Sequence, residues 1–130
     1  MIELKISAQH YSHLERISNF TMKEVCALIY TTDINDIHII NKIVQVRNTK
    51  RIKTSFGISK LEFQKHLADD LSGIYHTHFN DFELSENDKR IFTKFDIFTF
   101  QMIGIFNQSS RQLNLMCYST KLTPIKIDQI

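Results

Sequence analysis

The chain reads as a mixed α/β domain in which several strands, mostly antiparallel neighbours, pack with about three helices. Apolar or alternating runs of strand length recur along the chain. Between them, Ser7, Ser59 and Ser85 each introduce a segment with helix-start chemistry. The 130 residues are 42% hydrophobic and 23% charged, enough for one core, so residues 1–130 are expected to form a single domain.

Ile2 to Ile6 alternates apolar and polar, which predicts a short half-buried strand. Ser7 caps a predicted helix over 8–20, with Tyr11, Leu14 and Ile17 along one stripe. Glu24 to Thr32 is β-branched and apolar and predicts a buried strand; Asp33 to Asp36 is a turn signal, and Ile37 to Val46 predicts the return strand of a hairpin. A basic connection, Arg47 to Lys53, leads to a predicted short strand, Thr54 to Ile58. Ser59-Lys60-Leu61-Glu62 matches a capping box and opens a helix to about Ala68. Strand character returns at Ser72 to His78, a loop covers Phe79 to Leu84, and Ser85 opens a helix carrying Phe92 and Phe95. Ile97 to Phe106 and Gln112 to Ser119 predict two strands around a polar turn. Leu122 to Ile127 predicts a last edge strand, since Pro124 cannot donate to a ladder.

A formal charge of +2 gives no global pull toward nucleic acid or an anionic membrane, and no apolar run approaches the ~18 residues of a membrane span. No apolar h-region opens the chain, and Cys26 and Cys117 form no C-x-x-C pair. Both cysteines sit in apolar stretches, as reduced thiols of a cytoplasmic protein would; one long-range disulfide is the other reading.

The informative segment is Ile74 to Asp88, IYHTHFNDFELSEND. His76 and His78 are two apart on a predicted strand, so both imidazoles project from one face. Paired neutral imidazoles suit zinc. Asp88 follows in the first turn of a predicted helix, where the chain can fold back and bring its carboxylate to the histidines. Three protein ligands leave a fourth position for water, the catalytic pattern, and zinc lowers the pKa of such a water to roughly 7. Ser85-x-x-Asp88 also matches a capping box, in which both side chains only satisfy backbone N–H groups.

The segment HTHFNDFELSEND resembles the JAMM motif of the MPN/JAB metallopeptidases, H-x-H-P, a loop, then S-x-x-D. Upstream, Glu24-Val25-Cys26-Ala27-Leu28-Ile29 resembles that family's strand beginning E-x-C-G-L-L, about fifty residues before the histidines. The resemblance implies that His76, His78 and Asp88 bind zinc, that Glu24 is general base and acid, and that Ser85 donates to the oxyanion. It also implies a deaminase-like sandwich, a mixed sheet flanked by helices. The chemistry implied is isopeptide or peptide cleavage at the C-terminal tail of a ubiquitin-like or sulfur-carrier protein. Three positions depart from the pattern: Phe79 replaces Pro, six residues rather than seven separate His78 from Ser85, and Ala27 replaces Gly.

Two other function classes stay open: a metal-free scaffold of the same fold, and a phage or cell-wall peptidase with the same zinc chemistry. There is no H-E-x-x-H and no deaminase cysteine pair. His10 and His13 read as surface residues of the first helix, and His38 and His66 have no partner nearby in sequence. Arg47 to Lys53 reads as a solvated hairpin end, so no nucleic-acid partner is expected. Phe79 and Phe82 flank the site, as loop packing or as a wall for an extended substrate tail.

Overall fold

The computed structural model describes residues 3–20, 22–51 and 55–130. Strand β1 (Glu3–Ile6) leads through Ser7, whose Oγ accepts the His10 N–H, into helix α1 (Ala8–Ser18). Leu14 of α1 is fully buried, with Tyr11 and Ile17 packed beside it. The helix stops at Ser18, short of the predicted Phe20, which is exposed.

Strands β2 (Cys26–Ile34) and β3 (Ile37–Val46) form the expected hairpin. Its turn is only Asn35-Asp36, both at positive φ (49° and 67°), as a two-residue turn matching strand twist requires. β2 starts at Cys26, so Glu24 lies just ahead of it.

The predicted strand at 54–58 does not form over Ser55–Ile58; Thr54 lies outside the described residues. The physical reason is Asn48. Its Nδ2 donates to the carbonyls of Glu24 (2.7 Å) and Ser55 (3.0 Å), and its Oδ1 accepts the N–H of Lys50 and Gly57 (3.0 Å each). One buried amide thus supplies partners that a neighbouring strand would otherwise provide. The apolar residues of this segment, Phe56 and Ile58, still enter the core.

Helix α2 (Lys60–Lys65) ends before the predicted Ala68. Ser59 caps it by accepting the Glu62 N–H, while the Glu62 carboxylate faces His66 and Lys65. Strand β4 (Leu71–Thr77), helix α3 (Glu86–Lys94) and strand β5 (Phe100–Asn107) follow. β4 and β5 are parallel neighbours, so a crossover must join them, and α3 is part of it. β5 begins at Phe100, later than Ile97, because 95–97 form a turn after the helix. Strands β6 (Gln112–Ser119) and β7 (Pro124–Gln129) complete the sheet.

The order is β1-β3-β2-β4-β5-β6-β7, and β1 also pairs with β7, rolling the sheet into a closed, strongly twisted barrel. β7 is therefore not the predicted edge strand. Pro124 is its first residue, opposite Tyr118, where the missing N–H leaves the ladder intact. Four of the seven pairings are antiparallel.

Strand alternation divides the core in two. Ala27, Ile29, Tyr75, Met102 and Cys117 face α1, whereas Cys26, Leu28, Ile74 and Phe56 face Ile91 and Phe95 at α3. The cysteines lie in separate clusters and both are free thiols. Tyr75 passes across Gly104, where an added Cβ would meet its hydroxyl at 2.0 Å, and that hydroxyl hydrogen-bonds Ser18 at 2.5 Å. Among the described residues no helix is long and apolar enough to cross a membrane.

Candidate metal centre

His76 sits on β4 between β2 and β5, opposite Cys26 and Ile103, and is fully buried. The Phe56 ring stacks on its imidazole at 4.1 Å and 18°. His78, one residue past β4, extends the ladder by donating its N–H to the Gly104 carbonyl (2.9 Å). Its Nδ1 lies 2.8 Å from the Asp81 carbonyl. A carbonyl only accepts, so this nitrogen carries the proton and Nε2 presents a lone pair. The β2–β4 register, carried past Cys26 by the Thr77 N–H to Val25 carbonyl bond (2.9 Å), sets Glu24 across from His78.

Asp88 enters from α3. Ser85 Oγ accepts the Asp88 N–H (3.1 Å) and Asp88 Oδ2 accepts the Ser85 N–H (2.9 Å), so the capping box is formed. The same Oδ2 lies 3.0 Å from His78 Nε2 and 3.4 Å from His76 Nε2, and the two Nε2 atoms are 2.9 Å apart. The cap aims the carboxylate at the histidines, and the two readings of Ser85-x-x-Asp88 describe one arrangement.

This convergence tests the fit to a metal. Three electron-pair donors lie within 3.4 Å of one another. Zinc bonds of about 2.0–2.1 Å set tetrahedral donors roughly 3.3–3.4 Å apart. A shared proton or a cation is needed to hold such donors together, and His₂Asp suits zinc. Glu24 also offers an atom within 4.8 Å of both imidazoles, but Asp88 is the carboxylate in direct contact. Glu24 is 4% exposed, and its Oε1 has no hydrogen-bond partner among the described residues; neither has His76 Nδ1.

Burial pushes the Glu24 carboxyl up to about 7, with His78 pulling it down and Asp88 adding to the rise. Burial also opposes the charge of Asp88, but its close contacts with His76 and His78 outweigh it and hold that carboxyl well below the usual range. Burial lowers His76. His78 is raised, because contacts with Asp88 and the Asp81 carbonyl overcome its desolvation.

A cleft of about 180 Å³ opens beside His78, lined by Glu24, Phe79, Asp81, Glu83 and Ser85 among others. Ser85 Oγ accepts one hydrogen bond as a cap, which leaves its own proton for another partner. Phe82 does not line this cleft; its carbonyl accepts the Tyr118 hydroxyl. His38 and His66 do have partners: Asp33 across the hairpin end (2.5 Å) and Glu62 one helical turn back (3.6 Å). His10 caps back onto Ser7. Sequence reasoning missed three supports. Asn48 holds the Glu24 backbone, Gln101 donates to the Asp88 carbonyl (3.0 Å), and Phe56 covers His76. All three come from segments distant in sequence, and their residue types carry no local signal.

No family model matches the sequence, and no curated protein matches it. Solved structures do. A Desulfitobacterium hafniense protein known from a solution structure superposes with a TM-score of 0.75 at 12% identity, over 98% of this chain and 92% of that one. A JAB1/MPN domain protein from Archaeoglobus fulgidus gives 0.62 at 15% identity, over 98% and 97%. The structure described as JAMM, a metalloprotease-like zinc site in the proteasome and signalosome, gives 0.61 at 16% identity, over 98% of each chain. The chain thus has the JAB1/MPN fold.

Proposed function

We propose that this chain is a zinc-dependent peptidase of the JAMM class. Its substrate is the C-terminal tail of a ubiquitin-like or sulfur-carrier protein, cut from a lysine or from a precursor extension. The observation that carries the reading is the meeting of His76 Nε2, His78 Nε2 and Asp88 Oδ2 within 3.4 Å, with Glu24 buried beside them. His76, His78 and Asp88 would hold the metal. Zinc bound there polarises a carbonyl and makes hydroxide available near neutral pH. Glu24 takes the proton of the attacking water on a carboxylate oxygen and returns it to the leaving amine. Ser85 donates its hydroxyl proton to the oxygen that gains charge. Phe79 walls the cleft along which an extended tail would lie. Free, buried cysteines suit the cytoplasm as its setting.

Elemental analysis of protein purified without added metal should give one zinc per chain, lost in His76→Ala/His78→Ala. That protein should cleave a Gly-Gly-tailed carrier and leave a peptidoglycan peptide intact. Metal-free native protein, or zinc unchanged in the double variant, would refute the site. Cleavage of the cell-wall peptide alone would refute the substrate.

A further inference from the structure

A second cavity, of about 400 Å³, lies against the far side of Glu24. It is bounded by the end of α1, the approach to β2 and the end of β3, and Arg16, Lys23 and Arg47 contribute to its lining. Glu24 is the only carboxylate among the described residues around it. Neither guanidinium is in an ion pair among the described residues. The Lys23 ammonium donates to the Asn48 and Lys50 carbonyls, which fixes its place without cancelling its charge. The volume suits a small ligand or a few residues of a peptide. Glu24 lines this cavity and the cleft beside His78, so the two spaces meet at one buried carboxylate whose Oε1 lacks a partner. The opposite flank carries Asp81 and Glu83. Charge therefore changes sign across the centre.

From this asymmetry we infer that the cavity beside Glu24 is a subsite for a carboxylate-bearing peptide, with Arg16 and Arg47 taking the carboxylate. A peptide N–H or amine would meet Glu24 Oε1, while the carboxylate is paired with donors built to fork around it. The carboxylate comes from an acidic side chain or from the chain's own C-terminus. The inference names the substrate class for the metal centre proposed above, and in that sense rests on it.

The test uses the purified full chain and fluorescein-labelled peptides of one length. Amidated peptides carry Glu, Gln or Lys at one position, and one Gln peptide keeps its free C-terminus. Anisotropy should show the Glu peptide, or the free-terminus peptide, binding about ten-fold tighter than the Lys peptide or more, as charge-assisted hydrogen bonds would give. Preference for Glu assigns the side chain as source; preference for the free terminus alone assigns the chain end. Arg16→Gln/Arg47→Gln should remove the preference, weakening the Glu or free-terminus peptide to the affinity of the amidated Gln peptide. Equal binding of all peptides, a preference surviving in the double variant, or no binding would overturn the subsite. The native chain's ranking decides even where the double variant fails to fold. Selective binding without cleavage would refute the peptidase and keep the subsite; cleavage without selectivity would do the reverse.

Discussion

Glu24 is the residue on which the chemistry turns, because it is buried, close to both histidines and carries an oxygen with no hydrogen-bond partner among the described residues. Glu24→Gln keeps the shape and removes the base, so zinc should stay bound while turnover falls by ~10²–10⁴-fold. Only the ionised carboxylate accepts a proton. Burial pushes it up to about 7; with metal bound, activity should rise with pH below that region and level off above it. A bound cation favours the carboxylate and moves that limb lower, and the limb should vanish in Glu24→Gln. Ser85 carries two duties that one variant separates. Ser85→Ala should cost about 1 kcal/mol of stability through the lost cap. It should also lower kcat by roughly ten- to a thousand-fold through the lost oxyanion donor. Melting curves and kinetics on the same protein read the two effects independently; a stability loss with full activity would leave Ser85 as a cap alone.

Among the elements, the β2–β3 hairpin and the β4–α3–β5 crossover set the geometry. The hairpin turn places Asn35 and Asp36 at φ 49° and 67°, a region that costs most side chains about 1 kcal/mol or more. Asp36→Gly removes that cost at a position where Asn-Gly is the favoured pair. The variant should gain about 0.5–1 kcal/mol in denaturant titration, with the slope unchanged. A loss of stability would mean that the Asp36 side chain makes the turn. The crossover acts on the site itself. Parallel pairing of β4 with β5 obliges the chain to cross over, and α3 lands with its capped first turn over His76 and His78. Gln101 of β5 then ties the Asp88 carbonyl back to the sheet.

At the scale of the molecule, the centre joins two separately built parts, the barrel through His76 and His78 and the helical layer through Asp88. A metal bound only by the folded chain therefore stabilises the whole. At a hundred times its dissociation constant the gain is about 2.7 kcal/mol. Chelation should then lower the melting temperature by roughly 10 °C, and by more where the metal is held more tightly. His76→Ala/His78→Ala should melt at one temperature with or without chelator. An unchanged melting point on chelation of the native protein would mean that no metal is held.

Short-range pattern was enough for much of this protein. The alternation of Ile37 to Val46, the serine caps at Ser7, Ser59 and Ser85, and the period-two spacing of His76 and His78 are all properties of neighbouring residues. Backbone geometry converts such spacing directly into a face or a helix start. Even the convergence of Asp88 on the histidines was legible, since it follows His78 by only ten positions. Glu24 was legible only through family resemblance, because its place depends on the β2–β4 register bridging fifty residues. Closure by β7, the loss of a strand at Ser55–Ile58 and the roles of Asn48, Gln101 and Phe56 belonged to tertiary structure alone. Each depends on which distant backbone or ring supplies the partner. A residue's own neighbours carry no information about a hydrogen bond or a stacked ring delivered from elsewhere in the chain.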